Sequence, residues 1–257
     1  MTYTFGDSAI ASERLRIVAD TMEAAAREVL ARVKTHPITR VLDLGCGPGH
    51  TTRMLADMFQ AAQVTGIDAS NAYVSEATAN ASPRCNFERA DVGAEPLSGA
   101  PADVVYARYL LSHFADVAAY VERWCGALKP GGSLVLEEPE SIRSTDPDFA
   151  RYEEISVALV QTAGGGVFYA GPHIASAPTP AEAVREYDDT IAIEVNAGQA
   201  AAMFWRNARA WSPDALQRAG IDVAEVRELA ARLETREHDR TAGLFDWRQR
   251  QTIFTRA

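Results

Sequence analysis

The segment from Arg40 to Thr52 constrains this chain more than any other. Val41, Leu42 and Leu44 form a short apolar strand, and Gly45, Gly47 and Gly49 follow at alternate positions. Glycines there allow a sharp bend and let bare backbone approach a ligand. Thr51 and Thr52 then open a helix whose first N–H groups have no partners of their own. A strand, glycine turn and helix in this order predict a cradle for something small and polar.

The rest of the chain fits around that turn as repeated strand and helix steps. A long helical pattern over Ser8 to Val33 comes first, with Asp7 or Ser8 as its cap. Strands are predicted at Arg40–Leu44, Gln63–Ile67, Asn86–Arg89, Asp103–Ala107 and Ser133–Leu136. Helices are predicted between them, near Thr51–Phe59, Asn71–Asn80 and Val117–Leu128, the last stopped by a turn at Lys129-Pro130-Gly131-Gly132. Alternation of this kind implies a parallel sheet covered by helices on both faces. Ligands of such sheets bind beyond the carboxyl ends of the strands. Further on, Glu186–Val195 and Asp246–Phe254 read as the last strands, and Gln199–Ala210 and Pro213–Leu233 as helices. No Asp, Glu, Lys or Arg occurs from Ile155 to Ala181, and that glycine-punctuated stretch reads as a mobile wall over the site.

These elements predict a single domain over residues 1–257, an α/β fold with a Rossmann-like, seven-stranded, mostly parallel sheet sandwiched by helices. Residues 36–140 make the ligand-binding core and 1–35 an N-terminal helical cap. Residues 141–182 and 197–242 are insertions that complete a cap over the strand ends, and 186–195 and 246–254 supply the last strands.

Composition narrows the partners. The formal charge of −10 argues against a general affinity for nucleic acid or an anionic membrane. Cys46, Cys85 and Cys125 are odd in number and scattered, and no cysteine and histidine cluster has zinc spacing, so no metal is expected. The acidic N-terminal segment does not read as a signal peptide, and no stretch reads as a membrane span. A cytoplasmic protein, monomeric or homodimeric, is the expectation.

A dinucleotide fingerprint would place its third glycine at position 50, where this chain has His50. Asp43-Leu44-Gly45-Cys46-Gly47-Pro48-Gly49 instead resembles the first motif of the class I S-adenosylmethionine-dependent methyltransferases. Asp68, closing the second strand, Ala90-Asp91, and Leu128-Lys129-Pro130-Gly131-Gly132 are similar to that family's later motifs and occur in the same order. The resemblance spans Thr39 to Glu138. It implies S-adenosylmethionine as cofactor, S-adenosylhomocysteine as product, and a small-molecule acceptor of bacterial secondary or cofactor metabolism, methylated on oxygen, nitrogen or carbon. The alternatives are a cyclase, decarboxylase or aminopropyl transferase on the same cofactor, an NAD-dependent oxidoreductase, or a non-catalytic binding protein.

The resemblance places the cofactor on Asp43, Gly45, Cys46, Gly47, Asp68, Ala69, Ala90, Asp91, Val92, Arg108 and His113, with Arg14 for its carboxylate. A carboxylate such as Asp68 suits a ribose diol, and Asp91 suits the adenine amino group. An acceptor that must lose a proton needs a base nearby, and the candidates are His113, Glu138 or its neighbour Glu137, and His173. Phe168, Tyr169, Trp205 and Trp211 are candidate pocket walls. Replacing Asp68 by Ala is expected to cost roughly 2–4 kcal/mol of cofactor affinity by calorimetry, since a charged acceptor is lost; unchanged affinity would refute the ribose assignment.

Overall fold

The computed structural model describes residues 8–34 and 37–257. The expected Asp7 cap lies outside them, and Ser8 stands at the cap position of α1 (Ala9–Leu30) without a side-chain cap bond. Then come β1 (Arg40–Leu44), α2 (His50–Met58), β2 (Gln63–Asp68), α3 (Asn71–Ala79), β3 (Cys85–Arg89), β4 (Ala102–Arg108), α4 (Val117–Gly126) and β5 (Leu128–Ser144). The C-terminal part holds α5 (Pro147–Thr162), α6 (Gly171–Ser176), β6 (Ala183–Ala192), α7 (Ala197–Ala210), α8 (Pro213–Arg218), α9 (Val223–Glu234) and β7 (Phe245–Arg256).

The seven strands form one sheet in the order β3-β2-β1-β4-β5-β7-β6. β1 to β5 run parallel, whereas β7 is antiparallel to both β5 and β6. The strand order reverses direction between β1 and β4, and a crevice opens above such a switch point. Alternate residues of each strand bury on opposite faces. Val41, Val104 and Val135 meet Leu30 and Leu55 on one side. Leu42, Val105 and Leu136 meet Val121 and Trp124 on the other. A third apolar cluster, with Phe149, Tyr152, Phe204 and Trp247, holds α5, α7 and α9 together as the cap.

Three expectations need correction. Lys129–Gly132 is not a helix-ending turn: α4 stops at Gly126 and these residues already belong to β5. There Lys129 Nζ reaches the two Asp103 oxygens at 2.8 and 2.9 Å, and the same carboxylate accepts the N–H groups of Thr39 and Arg40 at 2.9 Å. These bonds hold the Asp103 carboxyl down at about 2 and clamp β1, β4 and β5 at the end of the sheet remote from the crevice. The uncharged stretch from Ile155 is largely packed structure, since Ile155, Leu159 and Val160 on α5, together with Ala170 and Ile174, are buried. The helix expected over Pro213–Leu233 is broken at Gly220, which has a left-handed φ of 70°. Ile221 N–H donates to Leu216 O at 2.9 Å and Gly220 N–H to Gln217 O at 3.0 Å, a Schellman stop. Asp222 then caps α9 by accepting from Ala224 N–H.

The glycine turn takes the shape its sequence demands. Gly45, Gly47 and Gly49 have φ of 67°, 51° and 81°. A Cβ on Gly49 would lie 2.7 Å from the Phe87 ring. Gly49→Ala is therefore expected to lose about 2–4 kcal/mol in urea unfolding, from strain and overpacking together; a loss below half a kcal/mol would show that the turn adapts.

Candidate functional site

Two cavities meet above the switch point. Gly45, Leu110 and His113 line both. One cavity runs along the ends of β2 and β3 and is edged by Asp68, Ala69, Ser70, Asp91 and Val92. The other lies between the glycine turn, α1 and the cap, edged by Arg14, Gly47, Thr51, Arg108, Tyr152 and Asn207 among others.

Asp68 is 2% exposed and ties the first cavity to the turn. Its Oδ2 accepts the Gly47 N–H at 2.9 Å and its Oδ1 accepts the Ser70 N–H at 2.8 Å. Each carboxylate oxygen has a second lone-pair site, so the group can still accept a diol. Asp91 accepts the Gly93 N–H at 2.8 Å and remains exposed at the cavity edge. Ala90 lines neither cavity; its N–H donates to Asp68 O at 3.2 Å and holds β3 to β2.

Asp43 was expected to touch the cofactor, but it lies beneath the turn and edges neither cavity. It accepts from Thr52 Oγ1 at 2.6 Å, and burial pushes its carboxyl up to about 7. Its work is to bind the start of α2 to β1. Cys46 lines the second cavity, and burial next to Asp43 and Asp68 raises its thiol, which leaves it inert.

Arg108 ends β4 and enters the second cavity beside α2. Its Nη2 donates to Thr51 Oγ1 at 3.2 Å, while Nη1 is buried with no partner among the described residues. An unpaired guanidinium N–H at a helix N-terminus, next to the bare backbone of Gly47, suits a carboxylate. These donors, with Asp68 at the other end, fit the zwitterionic tail and ribose of adenosylmethionine. Arg14 lines the same cavity from α1.

The candidate bases separate clearly. His113 sits where the cavities join, and burial, together with the charge of Arg14, lowers it to about 4. Glu138 edges neither cavity: it is fully buried, and its Oε1 accepts the N–H groups of Leu110 and Leu111 at 2.7 and 2.8 Å. Burial raises its carboxyl to about 8. Glu137 is also fully buried, where its Oε1 accepts from Gln249 and Gln251 at 2.9 and 2.8 Å and Oε2 from the Tyr106 hydroxyl. His173 is exposed on α6 and edges neither cavity. Glu138 thus holds the loop above it and Glu137 ties β5 to β4 and β7, and neither edges a cavity. Among the described residues, no three His, Cys, Asp or Glu side chains group as a metal site.

Of the expected pocket walls, Phe168 lines the second cavity. Trp205 and Trp211 are buried in the cap, and Trp205 Nε1 donates to Glu237 at 2.7 Å. Tyr169 secures the wall from behind by bonding Glu153 and the Ile142 carbonyl. Phe204, Asn207, Tyr152, Trp247 and His50 do line the cavity, and the sequence reading missed all five for that role. Helical spacing marked α7 without saying which of Phe204 and Trp205, one residue apart, faces inward.

Glu138 gives a pH test. The folded state keeps a proton that the unfolded chain gives up near 4.5, so this group's contribution is complete below 4.5 and is lost as pH rises toward 8. Glu138→Gln retains the accepting oxygen and removes the titration. The variant's stability advantage in urea melts is expected to grow by on the order of 2 kcal/mol between about pH 6 and pH 8. A constant difference between variant and parent would overturn the buried, protonated assignment.

Residues 41–132 match a family model described as a methyltransferase domain. Trans-aconitate 2-methyltransferase of Variovorax paradoxus is 38% identical over 123 residues, 48% of this chain and 47% of that protein. The chain thus aligns with about half the length of the curated relatives it matches. Among solved structures, coclaurine N-methyltransferase bound to N-methylheliamine and S-adenosylhomocysteine superimposes with a TM-score of 0.58 at 14% identity, covering 91% of this chain and 72% of that one. The cyclase SpnF gives 0.55 at 18% identity, with 91% and 81% covered. Those two likenesses establish the fold. Residues 41–132 thus resemble a methyltransferase domain, and the glycine turn and Asp68 both lie inside the matched segment.

Proposed function

We propose that this protein methylates a carboxylate group of a small organic acid. The observation that carries the reading is the make-up of the second cavity, which presents two guanidinium groups, Arg14 and Arg108, against a single carboxylate among its described residues, Glu153, whose Oε1 is already engaged by the Tyr169 hydroxyl. His113, lowered to about 4, is neutral and weakly basic at physiological pH. His50 is lowered by burial and by Arg53, which contacts its Nδ1 at 3.0 Å. Tyr109 donates its hydroxyl to Gln249 Oε1 at 2.7 Å, and Glu153 already accepts the Tyr169 hydroxyl. An alcohol or phenol would need its proton removed here, whereas a carboxylate arrives as a nucleophile.

When bound, adenosylmethionine presents a methyl group on a sulfonium, and its transfer to a carboxylate oxygen leaves neutral S-adenosylhomocysteine and moves no proton. The chain's task is then placement and exclusion of water. Asp68 and Asp91 hold the nucleoside end, and Arg108, with the N–H groups of the glycine turn, the amino acid end. That leaves Arg14 to orient the acceptor's carboxylate, a departure from its expected role toward the cofactor. The aromatic cap closes over both. The name of the relatives, trans-aconitate 2-methyltransferase, supports an acid as acceptor. Among the described residues no helix is long and apolar enough to cross a membrane.

The test is incubation with adenosylmethionine and a panel of carboxylic acids that includes trans-aconitate, reading S-adenosylhomocysteine and methyl ester by mass. Ester formation is expected, with kcat/KM flat from about pH 6 to about pH 9. Arg14→Gln should raise the acceptor KM about tenfold, a charged hydrogen bond's worth, with S-adenosylhomocysteine affinity unchanged. Turnover confined to alcohols or amines, or a rate rising with one ionisation near neutrality, would overturn the reading. Weakened S-adenosylhomocysteine binding in Arg14→Gln would return that arginine to the cofactor.

A further inference from the structure

The cap wall of the acceptor cavity holds a buried polar atom with no partner among the described residues. Asn207 on α7 is 3% exposed and lines the cavity. Its Nδ2 donates to the Tyr152 hydroxyl at 2.6 Å, but its Oδ1 is buried with no partner among the described residues. Tyr152, 6% exposed, cannot swing aside, because its ring stacks on Phe204 at 4.0 Å and on Trp211 at 5.4 Å. A buried polar atom left unpaired is destabilising, and in a ligand cavity the missing partner is supplied by the ligand.

We infer that Asn207 and Tyr152 form a second subsite, which holds a hydroxyl group carried on an aromatic or similarly apolar body of the acceptor acid. The pair offers an acceptor, Asn207 Oδ1, beside a hydroxyl that carries its own proton. A substrate hydroxyl answers both, since it donates one hydrogen and accepts through two lone pairs. A carboxylate has no proton to give Asn207, and an ammonium has no lone pair for Tyr152. Phe204, Phe168 and Tyr109 line the cavity and suit a flat apolar body. Selectivity follows from the same geometry, because a substrate without the hydroxyl leaves Asn207 unpaired and dry.

The inference rests on the acceptor-cavity reading, and two matched probe pairs separate the two. One pair is phenylpropanoate and para-hydroxyphenylpropanoate; the other is uncharged, ethylbenzene and para-ethylphenol. Binding to the protein saturated with S-adenosylhomocysteine is followed by ligand-observed magnetic resonance. The hydroxylated member of each pair is expected to bind about tenfold more tightly. The preference should vanish in Asn207→Leu and shrink in Tyr152→Phe, with S-adenosylhomocysteine affinity unchanged as the check on folding. A preference in the uncharged pair with no binding by either acid supports the subsite and sinks the carboxylate reading. Acids that bind without a hydroxyl preference sink the subsite and leave the carboxylate reading standing. No preference in either pair, or a preference that survives in Asn207→Leu, overturns the subsite.

Discussion

The carboxylate of Asp68 is the joint on which the site depends. It accepts one N–H from the glycine turn after β1 and another from the start of the segment leading into α3. Two loops from adjacent strands are therefore locked to one charged group before any ligand arrives. Hydrogen bonds to a charged acceptor are the stronger kind, and burial at 2% exposure shields them from water. Gly47 can lend its N–H only because its φ is positive, a shape that a residue with a Cβ resists. Motif and strand-end acid are thus one device, and the spacing between them in sequence is the length of the intervening helix and strand.

The opposite side of the crevice is built on a second pair of buried acids. Glu138 gathers the N–H groups of Leu110 and Leu111, and so shapes the loop that carries His113. Glu137 gathers two glutamine side chains of β7, one of which accepts the Tyr109 hydroxyl. Tyr109 itself has a left-handed φ of 53°, an uncommon conformation for a residue with a bulky side chain. Anchoring of the loop from below by Glu138 and of the ring by Gln249 offsets that strain. The antiparallel β7 enters the site through these contacts, although none of its residues belongs to the glycine-turn motif.

Much of the core was legible because its constraints are local. Glycine at 45, 47 and 49, an acid at 68 and the 2-residue alternation of the strands each follow from backbone geometry. Asp43 was misread because a carboxylate before a glycine turn looks the same whether it points at a ligand or at Thr52. Glu138 and His173 were read as bases from their positions after strand five, yet one is sealed under a loop and the other lies outside on α6. The cap was least legible. Its cavity residues come from α5, α7 and β7, far apart in sequence, and which helix face turns inward is settled by packing among Phe149, Phe204 and Trp247.

The two halves of the site therefore use opposite physics. On the glycine-turn side, the carboxylate of Asp68 and backbone N–H groups hold one another fixed, and Arg108 keeps one buried N–H in reserve. On the cap side, aromatic rings line the cavity while Asn207 Oδ1 is left without a partner among the described residues. Unpaired groups in a dry cavity discriminate more sharply than apolar contacts do, because the wrong ligand leaves them unpaired. If the acceptor is an ionised acid, as we propose, no proton transfer is asked of the protein, and alignment by the polar-tipped cap wall is then what the chain contributes.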